Sequence, residues 1–299
     1  MVGNSRWVWL RLVLCTALLC GCSVVSHAAA IPAIKVEDPL AAKHEDEFIG
    51  LVLTYFALPE GESTLVRLPG GKKLLIDTGS ASDWPVLHKQ LLDRKVTRLD
   101  YVVITNDQPE YAGGYPSLRE KLEIDTVVMP KLTETVIRKG VPVPSADKQL
   151  ALVENDLLKL DEDVFLRVLL PNEPLFLSPQ NNSLVFRLEH GKLRFLFTSG
   201  INEKAEERLL ERDPEQVKAE VLKVGDQGSN QGSSQPFLSK VDPQIAIIST
   251  GKKLDSLKES QEVLERLGES WAETYITSQD GTITILSNGK DYRVLKEKQ

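Results

Sequence analysis

The chain has 299 residues, 41% of them hydrophobic and 26% charged, which suits one large domain or two small ones with a sizeable core and excludes a disordered or multi-spanning chain. Its formal net charge of −7 is a poor balance for general nucleic-acid binding, which rests on Lys and Arg neutralising phosphates. The cysteines are Cys15, Cys20 and Cys22 and the histidines His27, His44, His88 and His190, so the body holds no disulfide framework, thiolate metal site or Cys nucleophile, and few imidazoles.

Arg6 precedes a short apolar run from Leu12 to Cys22, the pattern of a signal peptide. A bilayer span needs about 20 apolar residues, and Arg11 would lie inside one. Two cleavage readings fit. Leu19-Cys20-Gly21-Cys22 resembles a lipobox, in which Cys22 is lipidated and becomes the new N-terminus; Ala28-Ala29-Ala30 offers an ordinary site near residue 30. The lipobox reading makes 1–21 a signal peptide, 22–47 a flexible tether rich in Ala, Pro and charge, and 48–299 the folded domain.

From Phe48 onward, strand and helix signals alternate. Phe48–Phe56, Ser63–Leu68 and Lys73–Asp77 read as strands separated by Gly- and Pro-containing turns. Trp84–Arg94 is an amphipathic helix, Asp100–Ile104 a buried strand, Tyr115–Leu122 a helix and Thr126–Val128 a strand. Gln149–Val153, Leu157–Leu160 and Val164–Leu170 read as antiparallel strands, and Leu184–Glu189 with Leu193–Thr198 as a hairpin across His190-Gly191. Helices at Glu203–Glu211, Gln235–Val241 and Gln261–Leu267 then alternate with strands at Glu220–Val224, Ile245–Ser249, Glu273–Thr277 and Gly281–Leu286. Two mixed sheets packed face to face, with helices outside, is the layer solution this order predicts. Trp84 and Trp271 read as core or half-buried residues, and Asn230–Ser234 as a flexible loop.

Leu65-Val66-Arg67-Leu68-Pro69-Gly70-Gly71-Lys72 followed by Leu75-Ile76-Asp77-Thr78-Gly79 resembles the opening of a metallo-β-lactamase domain, most nearly that of ComEC-type competence proteins. The likeness continues through Arg98–Thr105, Gly113-Gly114, Asn182–Val185, Leu196-Phe197-Thr198, Val221–Val224, Gly228-Ser229, Ile245–Ser249, Glu262–Leu267 and Asp280–Ile283. It implies an α/β (α+β) fold, the four-layer αββα sandwich. It also implies two zinc ions held by His and Asp, with a bridging hydroxide as nucleophile.

The ligand positions implied by the resemblance have changed. The Thr-His-x-His/Asp-x-Asp-His motif stands here as Thr105-Asn106-Asp107-Gln108-Pro109-Glu110-Tyr111. The bridging Asp corresponds to Gly200 after Ser199, the His-His pair to Asp226-Gln227, and the late His to none of Lys258-Glu259-Ser260. Asp77 survives, a supporting residue in the family. The expected cofactor is therefore none. An oxygen-ligand alternative joins Asp77, Asp107, Glu110 and Asp226 around Mg²⁺, Mn²⁺ or Ca²⁺; the plainer reading has them capping loops in water. Tyr111 is expected to fill the void left by the metals, Thr78-Gly79-Ser80 to cap a helix rather than bind an anion, and Ser199 lacks a nucleophile-elbow pattern.

The resulting expectation is an exported protein, membrane-anchored through Cys22 or else periplasmic or extracellular. It acts without catalysis, by binding an unidentified protein or small molecule at the cell envelope, with nucleic acid disfavoured. The alternative is a metal-dependent hydrolase or phosphodiesterase with a rebuilt site.

Overall fold

The computed structural model describes residues 35–36, 47–143, 148–252 and 258–297. Cys22, both cleavage sites, His27 and His44 lie outside them. Residues 32–299 form one unit, and residues 1–31 fall in another that lies wholly outside the described residues.

The first sheet has nine strands in the order β1-β16-β15-β2-β3-β4-β5-β6-β7. They are β1 (Lys35–Val36), β2 (Leu51–Tyr55), β3 (Thr64–Arg67), β4 (Lys73–Ile76), β5 (Arg98–Val103), β6 (Glu123–Pro130), β7 (Gln149–Leu152), β15 (Thr282–Ser287) and β16 (Tyr292–Glu297). The second has seven, in the order β14-β13-β12-β11-β10-β9-β8. These are β8 (Leu157–Lys159), β9 (Val164–Leu170), β10 (Val185–His190), β11 (Leu193–Phe197), β12 (Val221–Lys223), β13 (Ile245–Ile248) and β14 (Glu273–Ile276). Helices α1 (Trp84–Asp93), α2 (Pro109–Ala112), α3 (Tyr115–Lys121) and α4 (Glu134–Gly140) follow strands of the first sheet. Helices α5 (Glu203–Arg212), α6 (Gln235–Val241), α7 (Lys258–Glu269) and the single turn α8 (Thr277–Asp280) follow strands of the second.

Alternation along the strands makes three apolar layers. Leu53, Val66, Val103, Phe186, Phe195 and Ile247 belong to the layer between the sheets. Leu87, Leu91, Leu118 and Ile137 pack α1, α3 and α4 on the outer face of the first sheet, and Leu209, Phe237, Leu238 and Val263 do the same for α5–α7 on the second. The result is the αββα sandwich.

The structure differs from the sequence reading in several places. Gln149–Leu152 does not join its antiparallel successors; it pairs in parallel with β6, Val127 opposite Gln149, and the chain then crosses to the second sheet. A short apolar segment carries no mark of which neighbour it will choose. Helices α2 and α4 and strand β16 were not anticipated; the two helices bury few side chains, so their periodicity is weak. Lys35–Val36, inside the segment read as tether, pairs in parallel with β16. Trp271 is 93% exposed, with φ of 59°.

His190, at the tip of the β10–β11 hairpin, joins the two sheets. Its Nδ1 meets Ser287 Oγ at 2.8 Å, and its Nε2 lies 3.2 Å from Asp163 Oδ2. Burial holds its pKa below the ordinary 6.5, against the opposing pull of Asp163. Below pH 6.5 the unfolded chain therefore binds more protons than the folded one, so this contribution is present above pH 6.5 and lost as pH falls through the folded value. Urea midpoints measured from pH 7.5 to 5 should fall for the parent and fall less for His190→Gln.

Candidate functional site

The parallel strands β4, β5, β11, β12 and β13 point to the same end of the sandwich, and the loops leaving their C-terminal ends form the cleft. Four non-glycine residues there have positive φ: Asp77 (56°), Ser199 (50°), Asp226 (46°) and Gln227 (54°). Such backbone is costly outside glycine and clusters at sites that must present a side chain from a sharp turn.

Asp77 follows β4 and is buried. Its Oδ1 accepts the Thr105 N–H at 2.9 Å and its Oδ2 the Thr105 hydroxyl at 2.9 Å. Burial raises its pKa well above the carboxylate range, and the Thr105 bonds oppose this only in part. Thr105 Oγ1 lies 2.6 Å from Ser199 Oγ. Asn106 Nδ2 donates to Ser199 Oγ at 3.1 Å and to Ser183 Oγ at 3.2 Å, while Asn106 Oδ1 accepts the Gln108 N–H at 2.9 Å. One network thus ties loops of the first sheet to loops of the second.

Tyr111 is buried, 1% exposed, and its hydroxyl has no hydrogen-bond partner. Burial pushes its pKa well above 10, and the charges of Glu62, Asp226, Asp77 and Glu110 push the same way. A Cβ placed on Gly200 would stand 3.4 Å from Gln108 Oε1 and 3.5 Å from both Asn106 Nδ2 and Tyr111 Oη. The structure therefore brings Asn106, Gln108, Tyr111 and Gly200 together. Asp226 is half-buried, with burial raising its pKa. Glu110 and Asp107 face water. The Gly113-Gly114 pair allows close packing: a Cβ on Gly114 would lie 2.2 Å from Thr78 O, and one on Gly113 2.5 Å from Pro109 O.

Two charged residues of this region escaped the sequence reading. Lys223 ends β12 between the sheets, and its ammonium donates to Glu62 Oε2 at 2.6 Å and to Val224 O at 3.0 Å. Glu62 Oε1 accepts the Gln227 N–H at 3.1 Å. Both side chains of the pair are under 7% exposed. Burial raises the Glu62 pKa, against the pull of Lys223. Glu62, Asp77, Thr105, Ser199 and Lys223, with Ile76 and Phe197, line a small cavity with room for about one water molecule. A lysine inside the apolar run Val221-Leu222-Lys223-Val224 was the available signal, because a buried ammonium requires a partner.

The loop at Asn230–Ser234, read as flexible, is pinned. Buried Glu206 accepts the N–H groups of Ser233 at 2.5 Å and Ser234 at 2.9 Å, and Arg266 donates to Asn230 O and Gly232 O. Ser80, in the turn weighed as an anion site, is engaged by Asp83, Glu60 and Ser82.

These residues do not fit two zinc ions. Asn106 is committed on both atoms of its amide, Gly200 offers no donor, and burial with the nearby charges of Glu62, Asp226, Asp77 and Glu110 disfavours the phenolate that Tyr111 would need as a ligand. His88 stacks on Trp84 and His190 is held by Ser287 and Asp163, so neither reaches this cleft. Among the described residues no group of three or more His, Cys, Asp or Glu is placed to hold a metal. Of the oxygen-ligand set, Asp77 is buried, Asp226 half-buried, and Asp107 and Glu110 exposed.

Residues 60–252 match the metallo-beta-lactamase superfamily. The chain belongs to that superfamily. Among curated relatives it is similar to ComE operon protein 3 of Bacillus subtilis, at 28% identity over 245 residues, 75% of this chain and 31% of that protein. It is also similar to competence protein ComA of Neisseria gonorrhoeae, at 27% identity over 200 residues, 67% of this chain and 27% of that protein. The chain therefore spans about a third of the length of these relatives. Among solved structures, the metallo-beta-lactamase fold protein YhfI of Bacillus subtilis superposes with a TM-score of 0.51 at 14% identity, covering 75% of this chain and 96% of that one. These likenesses fit the ComEC-type resemblance and the αββα fold.

Removing one member of the buried pair should cost about 3–5 kcal/mol, because it strands a charge. Urea unfolding should show that loss for Lys223→Met, with a smaller loss for Lys223→Met combined with Glu62→Gln. Tyr111→Phe, which removes an orphan hydroxyl, should be neutral or stabilise by up to about 1 kcal/mol.

Proposed function

We propose that this is an exported protein, lipid-anchored at Cys22, whose metallo-β-lactamase domain acts without catalysis through binding or interaction at the cell envelope. The observation that carries the reading is the state of the ligand positions: Asn106 is locked into the cleft's own hydrogen bonds, Gly200 has no side chain, and Tyr111 is buried and protonated. The similarity to competence proteins supports a role at the envelope, in a chain corresponding to about a third of their length. Among the described residues no helix is long and apolar enough to cross a membrane.

Protein purified without chelator should carry no stoichiometric zinc and should not hydrolyse phosphodiesters, thioesters or β-lactams. Stoichiometric zinc or manganese, with phosphodiesterase turnover lost in Asp107→Asn and Asp226→Asn, establishes the hydrolase instead. Expressed in a bacterium with labelled fatty acid, the chain should take up label, and Cys22→Ala should abolish it.

The register of the lost motif has its own test. The combination Asn106→His, Gln108→His, Glu110→Asp, Tyr111→His, Gly200→Asp and Asp226→His should raise zinc affinity and make the melting temperature rise with zinc. Gly200 has no positive φ; the left-handed residue is Ser199, so an Asp side chain meets no backbone strain at 200. If the variant folds but binds zinc no better than the parent, the correspondence drawn here is incorrect.

A further inference from the structure

The end of the sandwich opposite the cleft carries two of the most exposed apolar side chains in the described residues. Trp271 is 93% exposed and Ile49 is 89% exposed. Trp271 stands two residues before β14, whose parallel partners β13 and β12 end at the cleft. Ile49 stands two residues before β2, whose direction is also that of β4. Both therefore lie at the strand starts. At this end Tyr292, the first residue of β16, donates its hydroxyl to Gln244 Oε1 at 2.8 Å and bridges the sheets. Gln244 O accepts the Glu273 N–H at 2.9 Å, which places the start of β14 beside the start of β16.

The chain arrives at the same corner. β1 runs parallel to β16 with Lys35 opposite Arg293, so the start of β1 lies at the Trp271 end. The twelve residues between Cys22 and Lys35 span at most about 45 Å when extended. Exposed Lys192 and Lys290 stand at the hairpin tips of this end, where the Lys192 N–H donates to Gly289 O at 2.7 Å.

Trp271 also has a positive φ, which is unfavourable for a bulky residue that a glycine would replace without strain. Neither packing nor backbone preference accounts for an indole in water at this position. Tryptophan partitions to the interface of a bilayer, where its ring is half-buried and its N–H remains wet, and lysine stems extend to the headgroups beside it.

We propose that Trp271 and Ile49 rest on the lipid–water interface to which the chain is tethered, so that the cleft faces away from the membrane. This rests on the reading that Cys22 is lipidated. At this end Asp242, Glu269, Glu273 and Asp291 outnumber Lys192 and Lys290, so the surface suits zwitterionic rather than anionic lipid.

The test uses the lipidated chain reconstituted into phosphatidylcholine vesicles with brominated acyl chains. Beyond Cys22 the tryptophans are Trp84 and Trp271, so Trp84→Phe leaves Trp271 as reporter. Its emission should shift to the blue and be mostly quenched by the brominated lipid. A second reporter, Leu177→Trp with Trp84→Phe and Trp271→Phe, places an indole on the loop after β9 at the cleft end, and it should be unquenched. Trp271→Gly with Ile49→Ser should keep the native circular dichroism while loosening the domain from the vesicle surface, read as faster proteolysis of the tether.

Unquenched Trp271 in a chain that carries the fatty-acid label and floats with vesicles overturns the orientation and leaves the anchor standing. Equal quenching of both reporters also overturns it. A chain that takes up no label removes both the anchor and the orientation.

Discussion

Loops that leave the ends of two packed sheets to enclose a cleft carry backbone N–H groups that water does not reach, and each needs an acceptor. Four buried carboxylates meet that requirement here. Asp77 accepts Thr105, Glu62 accepts Gln227, Glu206 accepts Ser233 and Ser234, and Asp83 accepts Glu60, Gly61 and Ser80. Each acid is anchored in one segment and holds another, so the four together set the shape of the cleft. Only Glu62 has a buried cation, Lys223, as direct partner. The others rely on hydrogen bonds to offset desolvation, and burial is the largest influence on Glu62, Asp77 and Glu206 alike.

This arrangement explains how the fold accommodates its changed motif. Where the family would place ligands from both sheets around metal ions, Asn106, Ser183, Ser199 and Thr105 bond to one another across the same junction. Their hydroxyl and amide groups are neutral, so they are cheaper to bury than the charges they stand in for. Tyr111 adds bulk with one unsatisfied hydroxyl, and Gly200 leaves a gap bordered by three polar atoms. The backbone of the cleft includes four residues with positive φ, and Asn106, Tyr111 and Gly200 stand where the resemblance implies metal ligands.

The two ends of the sandwich thus have different characters. One is built from strained turns and buried acids. The other presents Trp271 and Ile49 to solvent beside the point where the N-terminal strand joins β16. That polarity follows from the parallel strands of each sheet, which collect their C-terminal loops at one end and their starts at the other.

Much of this was legible in local sequence. Alternating apolar residues and turn signals located most strands and helices, since each periodicity is a property of a few neighbouring residues. The replacement of ligands by Asn106, Gln108, Tyr111 and Gly200 is a matter of residue identity, and so is the lack of histidines to compensate. The pairing of β7 with β6, the partnership of Lys223 with Glu62 across 161 positions, and the exposure of Trp271 were not legible. A strand's neighbour, an ion's partner and a side chain's contact with water are set by segments far away in the chain. The sequence by itself determined most of the elements, their order and the residue types of the changed motif. Tertiary structure decided which charges are buried together and which face is left open, because both depend on distances that exist only once the two sheets have packed.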